Sequence, residues 1–514
     1  MSDINRKTDL PANHRADRSK SDQGREQTGT RPGPHPTATA WLTPNRGYSA
    51  RMARNIALSE IALPDFGVPA ERPELDAATY RARLDALDRK AQAANLDAVL
   101  IYADREHSAN LAYLTGIDPR FEEALLILVR GKDPVLITGP ENLGYAAISP
   151  LDLSLHLYPP FGLLGQDRGQ TPTLTDLLAA AGIRQDMTVG LAGWKYFGPE
   201  ESSDPAHTLE TPSYIADALR GLTLDVVNAS ASLMHPVDGL RAINEVDQIA
   251  QFEFAAAHAS EAVKRVLTNL RPGLTEYELA SEMRLPGLPL SCHPMLSTGD
   301  RTRFGLASPS DKVIEKGEPM MTAIGLVGGL TCRAGWVAET ADDLPHAARD
   351  YVEKLAAPYF ACAADWYETV GIGVTGGEID ALVKRHLGGD FFDIALNPGH
   401  LIHLDEWMNT PVYPGSTQRL ASGMAIQLDI IPVPGPPYHG INIEDGIALL
   451  DADARTELAD NHPAVWSRIA ARRAFMADTL GIRLKPETLP LSNLCGILAP
   501  FFLRPGNVLT RRSG

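Results

Sequence analysis

SGMAIQLDIIPVPGPPYHGINIEDGIALLD, residues 422–451, is the most informative run of the sequence. Two runs rich in Ile, Leu and Val flank a Pro/Gly loop, which is the pattern of a hairpin-like pair of strands. Side chains alternate along a strand, so Met424, Ile426 and Leu428 share one face while Ala425, Gln427 and Asp429 share the other. On the second run Ile441 and Ile443 alternate with Asn442 and Glu444. The polar faces can therefore bring Asp429 and Glu444 to one cavity. Just upstream, NPGHLIHLDEW (397–407) supplies His400 and His403. A neutral imidazole with two carboxylates is a common donor set for a hard or borderline divalent metal.

Upstream, EPMMTAIGLVGGLTCRAGWVAE (318–339) reads as strand, and a helix is expected over 345–366. Ahead of these, EVDQIAQFEFAAAHASEAVKRVLTNL (245–270) has the three-and-four spacing of a long helix. Arg271-Pro272-Gly273 breaks it, and Thr275 with Glu278 three residues later forms a capping-box signature for a new helix. The region 70–235 alternates helix and strand: a helix from about 74, then apolar runs at 98–104, 124–129, 133–139, 187–193 and 223–229, with a helix at 176–182. This predicts an open sheet with flanking helices. No GxGxxG follows the first strand, so a dinucleotide site is not indicated.

The whole chain of 514 residues is 44% hydrophobic, enough apolar side chain for one or more full cores. Lys plus Arg number 47 against 64 Asp plus Glu, a net charge of −17. Nucleic acid is excluded as a general partner by this balance, and an acidic membrane surface would repel the chain. Four cysteines without a CxxC spacing suit a reducing compartment, and the N-terminus has no apolar signal segment, so a cytoplasmic location is expected. Residues 1–65 are expected to be a disordered tail because polar residues, Pro and Gly dominate most of that stretch. The remaining boundaries are set at 66–238 for the α/β domain, 239–452 for the domain carrying the candidate site, and 453–514 for a helical and extended C-terminal extension. The apolar residues Leu489, Leu491, Leu494, Ile497, Phe501 and Phe502 predict that this extension docks on its own chain or a partner.

From the long helix with its PGLTEYEL turn, the Gly399-His400 step, GMAIQLDIIP and INIEDG, the chain resembles the pita-bread family of creatinase, aminopeptidase P, prolidase and methionine aminopeptidase over roughly 75–450. The resemblance implies an α/β N-terminal creatinase-like domain followed by an α+β pita-bread domain, and a homodimer. It places the family's metal-binding His on His400 and its two Glu on Asp429 and Glu444. The two Asp ligands of the dimetal members fall on Ala323 and Ala334, and the proton-handling His positions fall near Leu306 and Trp407. This identifies a divergent member, without the carboxylate that bridges two metals.

Three functions follow. The first is a creatinase-like hydrolase of an amide, amidine or guanidino C–N bond in a small carboxylate-bearing molecule. His400 would act as acid/base, Asp429 or Glu444 would orient it, and Arg333 would hold the substrate carboxylate. The second is a mononuclear Xaa-Pro peptidase-like or lyase enzyme with one metal on His400, Asp429 and Glu444. The third is an inactive binding module, as in the peptidase-like modules of certain histone chaperones. The cofactor is accordingly none or one divalent metal, Mn, Zn or Fe. His403, Trp407 and Arg303 are further candidates for substrate binding, while Cys332 reads as a buried, inert thiol.

Overall fold

The computed structural model describes residues 55–169 and 171–512. Fifteen strands, β1 (Ile56–Glu60), β2 (Ala98–Ala103), β3 (Ala124–Val129), β4 (Val135–Thr138), β5 (Ser154–Leu157), β6 (Thr188–Ala192), β7 (Asp225–Asn228), β8 (Leu290–Thr298), β9 (Pro319–Leu326), β10 (Gly329–Trp336), β11 (His400–Leu401), β12 (Ala425–Asp429), β13 (Asn442–Leu449), β14 (Thr488–Pro490) and β15 (Asn507–Arg511), form three sheets among these residues.

The N-terminal sheet runs in the order β5-β4-β3-β2-β6-β7. Its centre is β2, whose six residues AVLIYA are all buried, because helices cover both faces and leave no side for polar residues. The mixture of parallel pairs (β2 with β6, β6 with β7) and antiparallel pairs (β2 with β3, β3 with β4) matches the alternation read from the sequence.

The second sheet is antiparallel, in the order β11-β12-β13-β10-β9-β8, with β14 pairing β13. The helix Val246–Asn269 lies along β9 and β10 and is buried over most of its length. Its alanines permit a close approach. A Cβ on Gly329 would stand 2.6 Å from the Ala256 backbone nitrogen, so the strand touches the helix only because that residue lacks one. Thr275 and Glu278 form the expected capping box at the start of helix Glu276–Ser281, and Thr375 with Glu378 repeats it at helix Gly376–Leu387. The helix expected over 345–366 starts later: short turns occupy 341–348, and the regular α-helix is Ala357–Thr369.

The tail expectation is corrected at its C-terminal end. Residues 1–54 lie outside the described residues, but Ile56–Glu60 is a strand, paired antiparallel with β15 from the other end of the chain. A composition average over 65 residues conceals a five-residue IALSE strand whose partner lies some 450 positions away. The C-terminal segment docks on its own chain. Leu489, Leu491, Leu494, Ile497, Phe501 and Phe502 are buried in the core, and β14 extends the pita-bread sheet. Among the described residues no helix is long and apolar enough to cross a membrane.

Candidate active site

The strand register assembles the site. Asp429 on β12 lies directly opposite Glu444 on β13, Glu444 opposite Cys332 on β10, and Cys332 opposite Ala323 on β9. Residues opposite one another share a face. Asp429, Glu444, Cys332 and Ala323 thus form one row, and Ala334, two residues on from Cys332, is on the same face. Next to this row His400 on β11 pairs with Gln427. The two positions where the resemblance expects Asp consequently present methyl groups on the same face as the two carboxylates.

His400 is the hub. Gly399 before it has φ +137°, a left-handed value that a glycine tolerates. The His400 Nδ1–H donates to the Leu401 carbonyl at 3.2 Å, which leaves the lone pair on Nε2. That nitrogen faces Glu406 Oε1 at 3.5 Å, Glu444 Oε1 at 3.7 Å and Asp429 Oδ2 at 3.8 Å. These separations exceed an ordinary hydrogen bond, and Nε2 has no hydrogen-bond partner. Neither has Asp429 Oδ1. Burial pushes the Asp429 carboxyl well above the usual carboxylate range, and the Glu444 charge adds to the push while His400 opposes it. Glu444 is raised in the same way by burial and by Glu406 and Asp445, and Glu406 by burial and Asp405. The thiols nearby are suppressed. Cys332 is pushed well above its ordinary value by burial and then by Glu444 and Asp429, and Cys292 up to about 11 by burial, Glu406 and Glu444.

The other candidates go elsewhere. Arg333 was expected to hold a substrate carboxylate, and this is corrected. Alternation along β10 puts it on the face opposite Cys332, where its guanidinium donates to Asp445 Oδ2 at 2.8 Å and to the carbonyls of Leu494 and Ile497 at 2.6 and 3.0 Å. His403, expected to touch substrate, is also corrected: three residues after His400 it points away from the carboxylates. It packs edge-on against Tyr113 and Phe252 and accepts from Arg241 at 3.4 Å. Burial, and then the Arg241 and Arg83 charges, lower its pKa well below the usual imidazole value, so it stays neutral. Arg303 is exposed on the turn Gly299–Phe304, with its guanidinium 4.7 Å from the Phe304 ring centroid. Trp407 does reach the site, its ring centroid 6.0 Å from that of His400, and remains 56% exposed at the rim. Leu306 is 70% exposed and does not fill the space.

Glu406 is the member that sequence reasoning did not assign. Its only signal is position, six residues beyond His400 in the run LDEW, where two adjacent acids look like an ordinary solvated turn. The loop is held from below by Arg241, which donates to Asp405 Oδ2 at 2.6 Å and to Asn110 Oδ1 of the N-terminal domain at 2.7 Å.

One imidazole nitrogen and several carboxylate oxygens are donor types that divalent cations take. The two unpartnered buried atoms, His400 Nε2 and Asp429 Oδ1, are the observation that a cation fits here. On the same face Ala323 and Ala334 supply no donor atom.

Comparison with known proteins agrees with this architecture. Residues 250–450 match the family model of metallopeptidase family M24, and residues 83–234 match that of the creatinase/prolidase N-terminal domain. The chain belongs to the pita-bread fold family, with a creatinase-type N-terminal domain ahead of an M24-type domain. Among individual proteins, it is 28% identical over 236 residues to an uncharacterized peptidase of Bacillus subtilis, YqhT, an alignment covering 43% of this chain and 63% of that protein's length. The fold is that of the Xaa-Pro dipeptidase from Bacillus anthracis (TM-score 0.55, 19% identity, 73% of this chain and 96% of that one). It is equally that of the prolidase from Pyrococcus horikoshii (TM-score 0.56, 17% identity, 72% and 95%).

Proposed function

We propose that the chain is a hydrolase that cleaves an amide-type C–N bond in a small molecule, with one divalent cation held by His400, Asp429 and Glu444. The observation that carries this reading is the buried His400 Nε2, aimed with its lone pair at carboxylates and bonded to none of them. When bound, such a cation would polarise a carbonyl oxygen and make water a better nucleophile at neutral pH. The residues of the chain supply the rest. His400 is held in one tautomer by Leu401, Asp429 and Glu444 are fixed by strand pairing, and Trp407 forms an apolar wall that limits water on one side. Arg333 is locked in the fold, so it gives no support for a carboxylate-bearing substrate. The same donor set supports a mononuclear peptidase acting on Xaa-Pro bonds, a narrower form of this chemistry. A cytoplasmic homodimer, expected from the thiols and the resemblance, belongs to the same proposal.

The test is amine release from a panel of dipeptides, N-acyl amino acids and guanidino compounds, with Mn, Zn or Fe supplied and His400→Ala as control. Turnover of one class, reduced at least about a hundredfold in the variant, supports the proposal. Tight binding of a panel compound with no turnover under any metal would instead favour a binding module.

A further inference from the structure

We infer that Glu406 is a direct ligand of a single cation, together with His400 and Glu444, and that this loop residue stands in for the strand carboxylates absent at 323 and 334. This rests on the reading that a cation acts at the cluster, and goes beyond it in assigning a donor that comes from the loop and not from the sheet.

Distances are the first argument. Oxygen or nitrogen donors about 2.1 Å from an ion in tetrahedral array lie about 3.4 Å from one another. From His400 Nε2, Glu406 stands at 3.5 Å and Glu444 at 3.7 Å, and donor atoms of all three lie within 4.8 Å of one another. Asp429, whose Oδ2 is 3.8 Å from His400 Nε2 and whose Oδ1 is unpartnered, borders the same space. A protonated imidazole would draw one carboxylate to about 2.7–2.9 Å. Three acceptors fanned around one nitrogen at nearly equal, longer range describe a shared centre instead.

Preorganisation is the second. Arg241 ties Asp405, the neighbour of Glu406, and the Asp405 carbonyl accepts from the His403 N–H at 3.0 Å. On the other side Trp407 lies against His400. The loop therefore offers Glu406 to the site at a fixed height over the sheet. A cation bound there ties the 403–408 loop to β11 and β13, so its removal should loosen that loop.

The test uses the full chain, stripped of metal, titrated calorimetrically with Mn and with Zn, with bound metal counted by mass spectrometry. Wild type is expected to take up one ion per chain. Glu406→Gln should bind at least about tenfold more weakly while the metal-free variant melts at the wild-type temperature, and limited proteolysis within 403–408 should become faster on metal removal only in wild type. Should that variant fail to fold, Glu406→Asp, whose carboxylate is one methylene shorter, is read in its place. Wild-type affinity in a folded Glu406 variant would overturn the assignment and leave the cation reading standing, whereas two ions per chain in wild type would overturn the assignment and the one-cation reading with it. No uptake by wild type would remove both.

Discussion

Gly399 holds His400 where the carboxylates can reach it. A Cβ there would stand 3.1 Å from the Gln427 carbonyl and 3.3 Å from the Trp366 ring, on top of an unfavourable φ. Gly399→Ala is expected to cost about 1–3 kcal/mol in urea unfolding and to abolish or weaken metal uptake, because His400 follows directly. Arg333→Met should act quite differently. Among the described residues it leaves the buried Asp445 carboxylate only the Ser492 hydroxyl at 2.7 Å, and a loss of about 3–5 kcal/mol is expected in the same measurement. A fully stable Arg333→Met that lost substrate affinity would restore Arg333 to the site. At this scale His400, Asp429 and Glu444 were legible, since strand alternation and one motif place them. Strand alternation argues against Arg333 as a site residue. The same alternation that puts Cys332 on the Glu444 side sends its neighbour to the other face. Glu406 was not legible, because a loop has no periodicity and its approach to His400 depends on Arg241, more than 160 positions away.

Among the elements, the 403–408 loop brings Glu406 to His400, and Arg241 is its clamp. The Arg241 side chain is almost fully buried, and its guanidinium joins Asp405 to Asn110 of the first domain. Arg241→Gln is expected to lower stability by about 2 kcal/mol or more and to speed proteolysis of the loop, while folded variant retains the sheet signature in circular dichroism. Strand and helix identities were readable because buried β2 and β3 are continuous apolar runs and the capping box at Thr275 is a local signal. What was missed depends on distant partners. β1 becomes a strand only by pairing with β15, and β11 is just two residues long, fixed by β12.

For the whole molecule, the C-terminal extension is part of the fold. Arg333 grips the Leu494 and Ile497 carbonyls, Arg472 donates to Glu253 on the long helix at 2.6 Å, and β15 covers β1. Truncation before Pro486 should therefore yield aggregated protein, exposing apolar core that β14 and the segment through Phe502 now cover. A soluble, cooperatively melting truncation would show that the extension is dispensable. Metal should also stabilise the whole chain by mass action, about 2.7 kcal/mol at a free concentration one hundred times Kd, so a chelator is expected to lower the melting temperature.

The most direct measurement is the metal content of full-length protein purified without chelator, for wild type beside His400→Ala. A cluster of one imidazole and three carboxylates, with no donor on Ala323 or Ala334, predicts about one divalent ion per wild-type chain and none in the variant. Two ions per chain, or one retained without His400, would contradict a single-cation site at this hub.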